Sequence, residues 1–391
     1  MSLAVLDFVH HPNPNAVSDA ERARLLENPG FGSVFTDHMV LINYDEGKGW
    51  HDARVAPYAP IPMDPASAVL HYAQEIFEGL KAYRLCDGTI GFFRPDANAR
   101  RFRQSAERLA MAQLPEDLFV QSIMELVRTE AAWVPQEEGK SLYLRPFMIA
   151  TEPFLGMRPS TKYLYVVIAS PVASYFKRAI VSAWVSHDYV RAAPGGTGAA
   201  KCGGNYAASL AAQRQAYEQG CDQVVFLDAV ERRWVEEMGG MHIFFVMNDG
   251  TLLTPPLSGT ILPGVTRNSI LALARERGLT VKEERYSFAQ WQEDARSSRL
   301  TECFACGTAA VITTIGKVQH KDGSFVIRNG ETGTLTHDLR EQLVGIQRGQ
   351  RADPHGWVVR LQVKGPADVQ QTQSSPQLGR RSGSTCRDVD D

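Results

Sequence analysis

Gly195-Gly196-Thr197-Gly198-Ala199-Ala200-Lys201-Cys202-Gly203-Gly204-Asn205-Tyr206 holds the most unusual lysine of the chain. Glycines on both sides of Lys201 remove the side chains that would keep a ligand away from the backbone. An amine in that setting can attack a carbonyl and form a Schiff base. A glycine-rich surface turn with an incidental lysine accounts for the same residues. The segment also approaches the phosphate loop G-x-x-x-x-G-K-[ST] of nucleotide hydrolases. Two working parts of that loop are missing: Ala200 replaces its second glycine and Cys202 its magnesium-binding hydroxyl. The segment contains no G-x-G-x-x-G dinucleotide fingerprint.

Further out, several places offer chemistry that a bound anion or a cationic ring would need. Leu262-Pro263-Gly264-Val265-Thr266 precedes a helix expected over about 265–277. Free amides and the helix dipole favour a phosphate at such a start. Thr308, after Gly307, adds a hydroxyl at a strand end, and Arg101 a cation early in the helix opened by Pro95. Singly, each is equally an ordinary cap or a solvated arginine. Glu236 and Glu237 precede Met238-Gly239-Gly240. A carboxylate there suits a buried ring nitrogen, or is a charge at a strand edge.

Taken in order, these segments resemble one family, the branched-chain amino-acid aminotransferases. These are pyridoxal-phosphate enzymes of fold type IV in the class IV aminotransferase family. Phe77-Glu78-Gly79-Leu80-Lys81-Ala82-Tyr83 is similar to the family's F-E-G-[ML]-K-A, and Phe93-Arg94-Pro95-Asp96 through Arg101 to its F-R-P helix. Lys201 to Tyr206 resembles K-x-G-G-N-Y, and Gly220 to Val224 resembles G-C-[DE]-Q-V. Glu237 to Met241, Leu262 to Arg267 and Gly307-Thr308-Ala309 complete the set. The likeness runs from about Phe35 to Trp357.

The resemblance implies roles residue by residue. Lys201 would form the Schiff base with the cofactor aldehyde and then carry the proton between the amino-acid Cα and the cofactor. Glu237 would keep the pyridine nitrogen protonated, and Tyr206 would donate toward the ring hydroxyl. Arg101, the Val265 and Thr266 amides and Thr308 would grip the phosphate, with Arg191 assisting. Tyr143 and Arg145 match a Y-[IL]-R-P strand on the substrate-carboxylate side, and the Ala309 amide would face the substrate. Tyr72, Phe77 and Tyr175, joined by Phe35, match an aromatic wall suited to leucine, isoleucine and valine. The second substrate is glutamate or 2-oxoglutarate, with Arg145 as partner for its additional carboxylate. The resemblance also implies a homodimer. D-amino-acid aminotransferases and aminodeoxychorismate lyases share the scaffold but lack F-E-G-L-K-A together with Tyr143-x-Arg145. A phosphate-ligand binding protein without catalysis is the alternative from another class.

Three departures stand out. His242 replaces the family's usual Asn, and Gly240 a Thr found in some members. The pair Cys303-x-x-Cys306 lies before Gly307, whereas the redox pair of mammalian members lies after it. Two small residues in an apolar strand over 302–310 account for these cysteines as well as a redox or metal motif does, and no metal site is expected.

Composition sets the outer limits. With 391 residues, two domains are expected. The 41 basic and 44 acidic residues nearly cancel, so no global field recruits nucleic acid or an anionic membrane. No apolar run is long enough to cross a bilayer, and the first 20 residues lack the features of a secretory signal. Six cysteines in a chain of this length do not make a disulfide framework, so a reducing cytoplasm is the expected setting. The fold expected from the resemblance is α/β (α+β) of the two-domain pyridoxal-phosphate type IV. A small N-terminal α/β domain spans 1–170, a linker 171–178 and a larger domain 179–361, with the cofactor between the domains. Residues 362–391, rich in Gln, Ser, Gly, Arg and Asp, are expected to be disordered.

Overall fold

The computed structural model of the chain describes residues 6–173, 175–176 and 178–361. The 362–391 tail and linker positions 174 and 177 lie outside the described residues. Two nine-stranded sheets organise the rest. The first runs in the order Val9–His10, Gly49–Pro57, His38–Asp45, Lys162–Val172, Ser141–Ala150, Leu80–Arg84, Ile90–Phe93, Val358–Arg360, and Glu75–Phe77 pairs onto Ser141–Ala150. Helices Pro95–Arg108 and Glu116–Thr129 share its core. Their apolar residues recur at helical spacing, and Phe102 lies 5.4 Å from Phe119 and 5.5 Å from Tyr165, centroid to centroid.

The second sheet runs Val235–Met238, Gln223–Leu227, Ile180–Ser186, Val311–His320, Leu300–Gly307, Met241–Met247, Leu252–Thr254, Val281–Glu283, with Gly323–Val326 on Val311–His320. Val235–Met238 also pairs with Met241–Met247, which closes six strands into a ring. Alternation along the strands divides two cores. Val181, Ala183, Val225, Leu227, Ile243, Phe245, Cys303 and Ala305 pack into one. Phe244, Phe304 and Cys306 face helices Val265–Glu276 and Thr334–Gln347 in another. Cys303 and Cys306 therefore belong to opposite faces of the sheet, and burial pushes both thiols up. A shared metal or disulfide is incompatible with that placement.

Several boundaries differ from the sequence reading. The sequence after Lys201 predicts one helix from Tyr206 to Gln219, ending at Gly220; the chain forms two, Gly203–Ala207 and Leu210–Glu218. The strand expected over 302–310 ends at Gly307, and an unforeseen strand, Val311–His320, returns beside it. The end of the expected second domain sits elsewhere. Val358–Arg360 pairs with Ile90–Phe93, and Leu361 lies in the first sheet's core. That pairing is between residues far apart in sequence, which no local pattern announces. Helix Asp19–Glu27 has no buried residue and hence no apolar period; Ser18 caps it by accepting from the Glu21 amide.

Candidate active site

A cavity of about 390 Å³ opens between the two sheets, and Lys201 lines it. The backbone around the lysine is tied to the first sheet and the helix packed on it. The Lys201 amide donates to Ser105 Oγ at 2.9 Å, and the Phe77 amide donates to the Lys201 carbonyl at 3.0 Å. Asn205 Nδ2 donates to the carbonyls of Thr197 and Ala200, closing the glycine-rich turn on itself. Lys201 Nζ donates to Tyr206 Oη at 3.0 Å and lies 4.9 Å from the Phe77 ring centre. The glycines thus let the chain fold tightly around an amine whose tip faces open space.

A phosphate-sized anion finds its donors on the same cavity. Helix Val265–Glu276 starts at Gly264 with no side-chain cap, so its first amides are free to bind a ligand. Val265, Thr266 and Thr308 line the cavity, as does Arg101. Arg101 is held as a fork: Nε and Nη2 donate to Glu78 at 2.7 and 2.8 Å, and Nη1 to the Pro263 carbonyl at 3.2 Å. Glu78 is fully buried and accepts from Asn98 as well. Burial alone would raise its pKa, but the Arg101 charge and these hydrogen bonds outweigh it and hold the carboxyl below its usual range. Glu78 lies within a quoted motif, yet its role is not readable there; its partner is 23 residues away, which no sequence spacing specifies.

The carboxylate expected at a ring nitrogen is Glu237. Strand Val235–Met238 carries it, 1% exposed. Its Oε2 pairs with Arg191 Nη1 at 2.8 Å and accepts from the Leu262 amide at 3.3 Å. Its Oε1 is buried with no hydrogen-bond partner. An orphaned acid oxygen is costly unless a donor arrives, and a protonated pyridine is such a donor. Burial lifts Glu237 to about 7, against the lowering pull of Arg191 and the Leu262 amide. Arg191 therefore serves the carboxylate; its Nη1 also donates to the Gly198 and Thr260 carbonyls.

The two departures have local answers. His242 is buried, and its Nε2 donates to the Leu262 carbonyl at 2.6 Å. Burial drives its pKa down to about 3, so the ring is neutral and leaves Glu237 beside it as the local acid. Gly240 lies against Tyr206: a Cβ there would come within 3.2 Å of the ring, so a threonine would press the tyrosine that Lys201 needs.

The substrate side divides. Phe77, Tyr143, Arg145, Tyr175 and Ala309 line the cavity. Arg145 stacks over Phe77 at 4.8 Å and donates to Tyr143 Oη at 3.2 Å, and its Nε is buried without a partner. Gly79 makes room for Tyr143, since a Cβ there would collide with the hydroxyl. Phe35 and Tyr72 do not reach this chain's cavity. Phe35 stacks on Tyr58 at 5.1 Å. Tyr72 ends a five-residue helix, where the left-handed Ala73 turns the chain; its ring stacks near Phe154 and its hydroxyl donates to the Leu155 carbonyl. The aromatic that does close this wall is Phe31, 5.4 Å from Tyr143 and 4.9 Å from Tyr175. It sits in an irregular loop, where no period distinguishes it from Phe35.

The sequence profile of the amino-transferase class IV family matches residues 75–318, which include every residue lining this cavity except Phe31. The chain belongs to the class IV aminotransferases. A branched-chain-amino-acid aminotransferase of Mycolicibacterium smegmatis is 57% identical over 367 residues, 92% of this chain and all of the relative. That of Mycobacterium tuberculosis H37Rv is 58% identical with the same coverage. Among solved structures, the branched-chain amino acid aminotransferase of Escherichia coli superposes with a TM-score of 0.67 at 27% identity, over 83% of this chain and 99% of that one. The T.th. branched-chain amino acid aminotransferase with pyridoxamine 5'-phosphate gives 0.69 at 26%, over 82% and 98%. This aminotransferase thus shares its scaffold with an enzyme crystallised around a B6 phosphate.

Proposed function

We propose that this aminotransferase moves the amino group of L-leucine, L-isoleucine or L-valine to 2-oxoglutarate, giving the branched 2-oxo acid and L-glutamate, with pyridoxal 5'-phosphate as cofactor. One observation carries the reading: a single cavity gathers a lysine amine and an uncapped helix start beside a forked arginine, and Arg191 on the same cavity pairs with a buried carboxylate whose other oxygen lacks a donor. These groups suit the aldehyde, the phosphate and the ring nitrogen of one molecule. When bound, that molecule supplies an electron-accepting ring and an aldehyde that exchanges with amines. The protein's residues do the rest. Lys201 Nζ would take the proton from the donor's α-carbon and hand it to the cofactor, and in the second half-reaction carry a proton the opposite way, from the cofactor to the α-carbon of the 2-oxo acid. Tyr206 Oη, 3.0 Å away, holds the amine in place. Glu237 Oε1, buried without a partner, would hold the ring nitrogen, with Arg191 fixing the other oxygen. Phe31, Phe77 and Tyr175 offer an apolar wall to a branched side chain, and Arg145 a cation to the far carboxylate of glutamate. A donor panel with 2-oxoglutarate is the test. Leucine, isoleucine and valine are expected to exceed alanine and aspartate by at least about tenfold in kcat/KM, in keeping with apolar-pocket discrimination. Equal rates for all donors would overturn the substrate assignment.

A homodimer belongs to this reading. Leu155 is 69% and Met157 91% exposed, and the exposed Tyr72 donates to the Leu155 carbonyl. Clustered apolar side chains in solvent ask for a covering surface. A second copy of the chain supplies it. Sedimentation should give a dimer for the wild type, with Met157→Asp shifting the equilibrium toward monomer; a monomeric wild type would refute it. A reducing cytoplasmic setting suits the five described cysteines, all free thiols. Among the described residues no helix is long and apolar enough to cross a membrane.

A further inference from the structure

Lys81 has no part in the chemistry above, yet its placement is unusual. It lies on strand Leu80–Arg84, 7% exposed, in register with Tyr143 of the neighbouring strand. Opposed residues on paired strands project from the same face, so Lys81 shares the face of the cavity-lining Tyr143. Among the described residues it forms no ion pair with a carboxylate. Its Nζ donates across the domain boundary to the Ala309 carbonyl at 3.0 Å. A buried ammonium without a counter-charge is costly and is relieved by deprotonation. Burial, with Arg348 and Arg340 adding repulsion, drives Lys81 down to about 7.

Its acceptor explains why such a lysine is kept. Thr308-Ala309-Ala310 joins strands Leu300–Gly307 and Val311–His320, and both Thr308 and Ala309 line the cavity. The turn leads into Val311, whose φ of +62° is a strained conformation for a β-branched residue. A strained turn holds its shape only where its surroundings fix it. A trans peptide sets C=O and N–H in opposite directions, so anchoring the Ala309 carbonyl also aims the Ala310 amide and limits rotation at Ala309.

We propose that Lys81 is a positioning residue that pins the Thr308-Ala309-Ala310 turn through the Ala309 carbonyl, in the shape that presents its amides to the carboxylate of the amino-acid and 2-oxo-acid substrates. The proposal rests on the aminotransferase reading above and deepens it. Lys81→Met keeps the stem and removes the donor; Lys81→Arg keeps a donor. The probe is 4-methylvaleric acid, a branched carboxylate without an amine, titrated into the cofactor-loaded enzyme by the change in cofactor absorbance. Lys81→Met should bind it about tenfold or more weakly, the scale of one buried hydrogen bond. KM for both substrates should rise in parallel, kcat should fall less, cofactor affinity should be unchanged, and Lys81→Arg should recover most of the loss. Unaltered carboxylate binding in Lys81→Met, or equal losses of kcat and cofactor affinity with KM unmoved, would overturn the proposal. If Lys81→Met does not fold, Lys81→Leu, which also lacks a donor, decides on the same criteria. A wild-type enzyme without transamination would instead refute the functional reading, so the two failures are distinguishable.

Discussion

Lys201→Ala is expected to lower turnover by about four orders of magnitude or more, since one amine serves as both covalent anchor and proton carrier. The fold should survive. The backbone at position 201 is held by Ser105 Oγ and by the Phe77 amide, neither of which involves the side chain. The Nζ hydrogen bond goes to Tyr206 Oη, which faces the cavity and can turn to water. Steady-state rates with leucine and 2-oxoglutarate, beside circular dichroism of the same sample, check both halves. Turnover within tenfold of wild type would be incompatible with the mechanism.

Glu237→Gln should retain cofactor yet slow removal of the α-proton by about a hundredfold or more, the scale of a lost acid–base contribution. An amide cannot balance a positive ring nitrogen, and Arg191 would lose the carboxylate it pairs with at 2.8 Å. Single-turnover measurements with α-deuterated leucine should show a larger isotope effect in the variant. An unchanged rate would remove Glu237 from the mechanism. The apoprotein offers an independent check through pH. Burial holds Glu237 protonated up to about 7, whereas the unfolded chain releases that proton near the ordinary value of 4.5. Between these values the folded state binds more protons, so this residue's contribution to stability falls as pH rises and levels off above about 7. The melting temperature of Glu237→Gln apoprotein should lack that component of the slope.

Local chemistry is legible in the sequence; long-range partnership is not. Lys201, Tyr206, Val265, Thr266 and Thr308 stand in segments whose glycines and helix starts announce a ligand, and all of them line one cavity. Arg101 is legible as a cation, but its fork on Glu78 and its reach to Pro263 depend on residues brought together only by the fold. Arg191, expected to assist at the phosphate, lines the same cavity and also pairs with Glu237 at 2.8 Å, a partnership that no sequence spacing specifies. Phe35 and Tyr72 do not line this chain's cavity, since neither an irregular segment nor a five-residue helix carries a period that tells which way an aromatic faces. Strand Val311–His320 is hidden in the sequence because Thr313, Thr314, Gly316 and Lys317 break its apolar pattern, while pairing on both sides makes it central to the sheet. His242 shows the converse. It departs from the family pattern, yet burial keeps the ring neutral and ties it to the Leu262 carbonyl.

The covalent role of Lys201 is tested most directly by borohydride reduction of the cofactor-loaded enzyme, followed by peptide mass mapping. A yellow protein that bleaches, with the pyridoxyl mass on the peptide containing Lys201 and on no other, is the predicted result. A label on a different lysine, or no label from a fully loaded enzyme, would contradict it.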